Sequence, residues 1–199
     1  MREAHKELSV LATKKLNVFV ASTNGDFNAR RRANRIIMNY HNITKEDMLN
    51  GEGIRVVLWV AGCNHHCKNC QNPETWDEKG GILFDKEAEE ELFEALKKPY
   101  ISGITFSGGD PLFPNNRSEV FRLIKRMKNE LPNKNIWLYT GYTWEQINTL
   151  EGIEDIDVIA EGEFIEELKD NNIHWVGSSN QRVIDVKESL KTGQVVLTD

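Results

Sequence analysis

No apolar run in this sequence is long: the longest, Val56 to Gly62, is seven residues, against the roughly 20 that a membrane-spanning helix needs. A soluble chain that does not enter a membrane is therefore expected. No long apolar stretch precedes a small-residue cleavage site near the N-terminus, so no secretory leader is expected, and Glu3, Glu7 and the scarcity of serine weigh against a basic transit peptide. Positive charge is not in excess either. Lys and Arg number 25 against 31 Asp and Glu, a net charge of -6, which excludes a general nucleic-acid binder and leaves small molecules and other proteins as ligands. Cysteine is scarce, with three in all, and Cys63, Cys67 and Cys70 fall within eight residues. An odd number so crowded cannot build the disulfide framework of a secreted domain; it points to a reducing, cytoplasmic compartment and to a metal. Internal repeats and low-complexity tracts are absent as well.

What is present is the composition of an ordinary globular protein, 199 residues with 39% hydrophobic and 28% charged, enough for one domain with its own core. Charge divides the chain unevenly. Residues 1–37 hold eight Lys/Arg and three Asp/Glu, while residues 38–199 hold 17 and 28. Residues 1–37 show no sustained period beyond a short strand pattern at Leu16 to Ala21 and a basic cluster at Arg30 to Arg32, so they are expected to be a poorly ordered N-terminal extension, with the working domain at 38–199. Met38-Asn39-Tyr40 looks like that domain's start.

From there the chain alternates between strand and helix patterns. Ile54 to Val60 is a buried strand leading directly into the cysteines. Asp85 opens a helix with Ala88, Leu92, Phe93 and Leu96 on one face, stopped by Pro99, and Ile101 to Phe106 is the second strand. Val120, Ile124, Met127 and Leu131 form the apolar stripe of a helix ended by Pro132. Asn135 to Thr140 is the third strand, Thr143 with Gln146 a capping box, and Ile156 to Ala160 the fourth strand. The β-α-β-α-β-α-β order predicts an α/β fold with a mostly parallel sheet and ligands at the carboxyl ends of its strands.

The three cysteines have the spacing C-x3-C-x2-C on the loop that leaves the first strand. Thiolates are soft ligands that suit zinc or iron-sulfur clusters. Zinc would need a fourth ligand, available from His65 or His66. A 4Fe-4S cluster with three cysteine-bound irons and one open iron is the alternative, since a fully thiolate-ligated cluster needs a fourth cysteine that this sequence lacks. His65 and His66 otherwise read as solvated loop residues, Trp76 and Trp137 as core aromatics, and the acidic stretch Glu87 to Glu94 as a wet helix face. Arg182 has two candidate partners, an acid of the chain or a carboxylate of a ligand.

This cysteine spacing after a first strand, followed by Phe106-Ser107-Gly108-Gly109-Asp110-Pro111-Leu112 at the end of a second, resembles the signature of the radical S-adenosylmethionine (SAM) superfamily. The resemblance implies a compact partial (open) parallel βα barrel, with Cys63, Cys67 and Cys70 holding a 4Fe-4S cluster and SAM chelating its open iron. Ser107, Gly108, Gly109 and Asp110 match the Gly-Gly-acid motif that receives the SAM methionine end, where glycines allow close backbone approach. Asn69, at a position often aromatic in the superfamily, and Thr140 join them as cofactor-binding residues. Asn72-Pro73-Glu74-Thr75-Trp76, Trp137 to Tyr142, Gly177 to Arg182 and the approach from Asn50 and Gly51 to Arg55 extend the likeness over about Met38 to Asp185. Together they are similar to the activating proteins of anaerobic ribonucleoside-triphosphate reductase, with departures at Gln71 and at Ala160-Glu161-Gly162.

The likeness implies reductive cleavage of SAM, giving a 5'-deoxyadenosyl radical that takes hydrogen from a glycine of the reductase large subunit. Cluster potentials span about -700 to +450 mV, and a sulfonium demands the negative end, so a flavodoxin or ferredoxin is the implied electron donor. No protein side chain beyond the cofactor-binding set is required for catalysis. An activase of another glycyl-radical enzyme, such as pyruvate formate-lyase, is the alternative within the class, and a Cys3His zinc module without catalysis the alternative outside it.

Overall fold

The computed structural model describes residues 38–198, and the expectations placed on residues 1–37 lie outside the described residues. In chain order the elements are β1 (Asn39–Asp47), β2 (Arg55–Val60), β3 (Ile82–Leu83), α1 (Lys86–Leu96), β4 (Gly103–Gly108), α2 (Pro114–Glu130), β5 (Asn135–Thr140), α3 (Trp144–Ile147), β6 (Val158–Glu161), β7 (Arg182–Asp185) and α4 (Val186–Thr192), with 3-10 turns between some of them. The near-continuous apolar run of β2 is explained by its place. It lies inside one open seven-stranded sheet of order β3-β1-β2-β4-β5-β6-β7 and is covered on both faces. β2, β4, β5 and β6 run parallel, as the alternating pattern predicts, while β1, β3 and β7 add antiparallel edges.

The parallel core advances in one direction without reversal. Crossovers of the usual right hand then all return over the same face. Val56, Leu58, Val60, Ile104, Phe106, Ile136, Leu138 and Ile159 share one buried cluster with Leu92, Leu96, Val120, Ile124 and Met127 of the helices. The alternate residues Trp59, Thr105, Ser107, Trp137 and Tyr139 face the other way.

Strands β1, β3 and β7 are not evident in the sequence for a physical reason. In β1 the buried residues Tyr40 and Ile43 are three apart, because the register slips by one residue between Tyr40 and Asn42 and again between Thr44 and Asp47. Bulges of this kind break the two-residue alternation by which a strand is read. β3 has two residues, both exposed, and β7 only four.

Helix α1 starts where Asp85 accepts from the Ala88 amide at 3.0 Å, and Pro114 begins α2 with its fixed φ at the first turn. Thr143 and Gln146 form the expected capping box. The acidic face of α1 is not wholly wet. Glu89 is buried and accepts from Arg122 and Arg126 of α2, at 2.6 Å each at closest, while Arg126 lies 3.8 Å over the Phe93 ring. Burial raises the Glu89 carboxyl, but the two guanidinium groups outweigh it and leave its pKa lowered.

Arg55 is fully buried among neutral acceptors. Its guanidinium donates to Thr105 Oγ1 at 2.7 Å, Ile104 O at 2.6 Å, Asn135 Oδ1 at 2.6 Å and Glu52 O at 2.9 Å, and it lies 5.3 Å from the Trp137 ring centre. Burial pulls its pKa down to about 10, so it stays charged at neutral pH. One side chain thus ties β2, β4 and the start of β5 together. Arg55→Met, which strands those acceptors, is expected to cost at least about 3 kcal/mol of stability. Urea denaturation of the two proteins checks this, and a loss under about 1 kcal/mol would show that the clamp contributes little.

Candidate functional site

β2 runs through Ala61 and Gly62 into the cysteine loop at its carboxyl end. The motif Asn72 to Trp76 closes the base of that loop. It forms a 3-10 turn whose Thr75 O accepts from Gly62 N at 2.8 Å, and the following Trp76 O accepts from Cys63 N at 3.1 Å. Farther along, Cys70 N donates to Cys67 O at 3.1 Å, with His66 and Asn69 both at positive φ (50° and 57°). Asparagine tolerates that left-handed conformation, and Asn69 is exposed at the turn. Its amino-acid type is thus explained by backbone geometry, and it does not line the neighbouring cavity.

All three cysteines are free and half-buried. Burial pushes the Cys63 thiol up to about 11 and raises that of Cys67, so a metal bound here must displace protons. Among the described residues no three His, Cys, Asp or Glu side chains close on a single ion. A cubane cluster instead takes each thiolate on a different iron.

The Gly-Gly-Asp segment packs against the root of this loop. Gly108 has φ 98°, and a Cβ there would stand 2.8 Å from Val60 O; a Cβ on Gly109 would stand 2.5 Å from Gly62 O and 3.0 Å from Thr75 O. The missing side chains therefore admit the backbone of β2 and of the cysteine loop. Gly109 N donates to Val60 O and Asp110 N to Gly62 O, each at 2.8 Å. Asp110 is 1% exposed and its carboxylate is used within the protein. It accepts from Leu112 N at 2.8 Å, Thr140 Oγ1 at 2.9 Å and Gly141 N at 3.0 Å, and it meets His65 Nε2 at 2.8 Å. The site residues Asp110 and Thr140 are thus brought together, with Ser107 buried close by on the strand.

His65 is not a solvated loop residue. Its side chain is 9% exposed, its Nδ1 lies 2.8 Å from Glu163 Oε1, and Tyr142 meets its ring edge-on with centroids 4.8 Å apart. Carboxylate oxygens face both ring nitrogens. The hydrogen bond to Asp110 raises its pKa most, burial opposes, and Glu163 adds to the rise. Both nitrogens being engaged, His65 is not free to complete a Cys3His zinc site. His66 packs against the Trp76 ring instead. Arg182 also finds its partners within the chain, pairing with buried Glu161 and with Glu145.

On the sheet face opposite the crossover helices lies a cavity of about 450 Å³, within the usual range for small-molecule sites. Cys70, Gln71, Asn72, Ser107 and Tyr139 are among its walls. Trp59, Phe164 and Trp175 supply aromatic surface, and Gly177 and Gln181 belong to the Gly177 to Arg182 motif. Gln181 explains much of that motif, since its Oε1 accepts from Gly177 N and Ser178 N while its Nε2 donates to Gly162 O. The Tyr139 hydroxyl is buried and has no hydrogen-bond partner among the described residues. Three soft thiols on one loop, with Cys70 on the cavity wall beside Ser107, fit an iron-sulfur cluster with a ligand next to it.

The sequence alone offers His65 only as a zinc ligand or a solvated residue, includes Tyr139 in a motif without a role, and does not single out Glu163, Trp59 or Trp175 for the site. Trp59 and Tyr139 carry a usable signal, because they alternate with the core residues of their strands; Glu163 and Trp175 lie in loops and carry none.

Residues 49–184 match the family described as a 4Fe-4S single cluster domain. The anaerobic ribonucleoside-triphosphate reductase-activating protein of enterobacteria phage T4 is 45% identical over 146 residues, 73% of this chain and 93% of that protein. Its namesakes from Vibrio cholerae and Escherichia coli K12 are 42% and 40% identical, over 72% and 73% of this chain and 96% and 97% of theirs. With nearly the whole length of these relatives matched, and a cysteine loop built onto the ends of a parallel sheet, the chain belongs to the family of anaerobic ribonucleoside-triphosphate reductase-activating proteins.

Proposed function

We propose that this chain activates anaerobic ribonucleoside-triphosphate reductase through a 4Fe-4S cluster and SAM. The observation that carries the reading is the placement of C-x3-C-x2-C at the carboxyl end of β2, with Cys70 on the wall of a cavity that Ser107 also lines. Cys63, Cys67 and Cys70 would hold the cluster, and the Ser107 to Gly109 backbone would receive the methionine end of SAM. When bound, these groups supply reductive cleavage of SAM and abstraction of a hydrogen atom from a reductase glycine.

The chain's own residues position and shield. Asp110 gathers the ends of β4 and β5 through Thr140 and Gly141, which fixes the shape of the receiving backbone. Tyr139 contributes to the cavity wall. Trp59, Phe164 and Trp175 give the cavity apolar walls, which would limit water around a reactive radical. The sequential parallel strands with crossovers on one face favour the partial βα barrel, whose free face would admit a glycine loop of the reductase. A flavodoxin or ferredoxin is the proposed electron source, and the cytoplasm the proposed compartment. No helix among the described residues is long and apolar enough to cross a membrane.

Anaerobic preparation separates this reading from a zinc module. Brown protein with iron and sulfide is expected; colourless protein with one bound zinc would overturn the proposal.

A further inference from the structure

We propose that His65 is a positioning residue that fastens the cysteine loop to the carboxyl ends of β4, β5 and β6, and so sets where SAM lies relative to the cluster. The inference rests on the function proposed above. His65 belongs to the cysteine loop, and its two carboxylate partners come from different strand ends: Asp110 just after β4, and Glu163 two residues beyond β6. Asp110 is itself immobilised by Leu112 N, Gly141 N and Thr140 Oγ1. The Glu163 backbone is pinned in turn, its carbonyl accepting from Asn180 Nδ2 at 2.8 Å. The loop's base is held separately, by Thr75 O and Trp76 O. Other side-chain links from the loop are Lys68 to Glu167, exposed at both ends and worth little in water, and a long hydrogen bond of 3.4 Å from the Tyr142 hydroxyl to Asn64 Oδ1, also exposed. The Phe164 amide bonds to Cys67 from beyond β6. Among the described residues His65 is the loop side chain that makes a short hydrogen bond to a buried carboxylate at the strand ends, Asp110.

Gly141 supplies an independent observation. Its φ is not positive, so no turn geometry requires glycine, yet a Cβ there would stand 2.5 Å from His65 Cδ2 and 2.7 Å from its Cγ. The space at Gly141 is filled by the imidazole. The glycine of Thr140-Gly141-Tyr142 is thus accounted for by the residue it accommodates, and substitution at either position should disturb the same contact.

The test compares His65→Ala, Gly141→Ala, the double variant and Glu163→Ala with wild type. Iron and sulfide per chain are measured after anaerobic gel filtration, SAM affinity on the cluster-loaded proteins, and thermal midpoints on the apoproteins. His65→Ala should keep near wild-type iron, since the thiols and the loop base remain, and should weaken SAM binding roughly ten-fold or more. Gly141→Ala should do the same, and the double variant should be no worse than the poorer single variant. Glu163→Ala, which removes an exposed partner and leaves the core intact, should fall between. SAM affinity unchanged in His65→Ala, loss of iron in that variant, or additive losses in the double variant would each overturn the clasp. If wild-type protein retained no iron, the functional reading would fail, and the clasp would be judged on the apoprotein midpoints alone. These should fall in both single variants without summing in the double; additive or absent effects overturn it.

Discussion

Replacing any one of Cys63, Cys67 or Cys70 by alanine is expected to remove the cluster and to lower SAM cleavage by more than roughly 100-fold, beyond what loss of an outer-shell group causes. In the proposed site each thiolate would serve a separate iron, so two could not stand in for three. The fold should survive. All three cysteines are half-buried on a loop outside the hydrophobic core, and the loop base is held by backbone hydrogen bonds that alanine keeps. The measurements are iron and sulfide content, 5'-deoxyadenosine formed from SAM, and the far-ultraviolet circular dichroism of each variant. Full SAM cleavage in any one of them would break the three-ligand assignment.

Gly109→Val is expected to abolish cluster assembly and SAM cleavage together and to destabilise the protein by about 1–3 kcal/mol through overpacking. From sequence alone this glycine reads as space for the methionine end of SAM, and its loss as a defect in SAM binding with the cluster intact. The geometry changes that expectation. The Cβ would press on Gly62 O and Thr75 O, two backbone atoms at the base of the cysteine loop, neither able to swing aside as a side chain could. Iron retention in a folded Gly109→Val protein decides the matter. Full iron with weakened SAM binding would return the glycine to the ligand, while joint loss assigns it to the loop.

The parallel core was legible because β2, β4, β5 and β6 are buried on both faces or nearly so, and burial writes itself as uninterrupted apolar runs. The cysteine spacing was legible because all three cysteines fall within eight residues of the chain. Bulged β1 and short β3 and β7 were not, since their side-chain patterns are broken or too brief. The His65 network was hidden for another reason. His65, Asp110, Thr140 and Glu163 lie on four different segments, up to 98 positions apart, and a loop histidine next to another histidine carries no mark of burial. Asp110 showed the limit of motif reading. Its position was found, but its carboxylate serves neighbouring protein groups, which only the fold brings within reach.

The most direct test is anaerobic incubation of the cluster-loaded protein with SAM, dithionite and anaerobic ribonucleoside-triphosphate reductase, read by electron paramagnetic resonance. The account predicts a glycyl-radical doublet on the reductase, dependent on SAM and absent with each cysteine variant. Formation of 5'-deoxyadenosine with no radical on the reductase would contradict it.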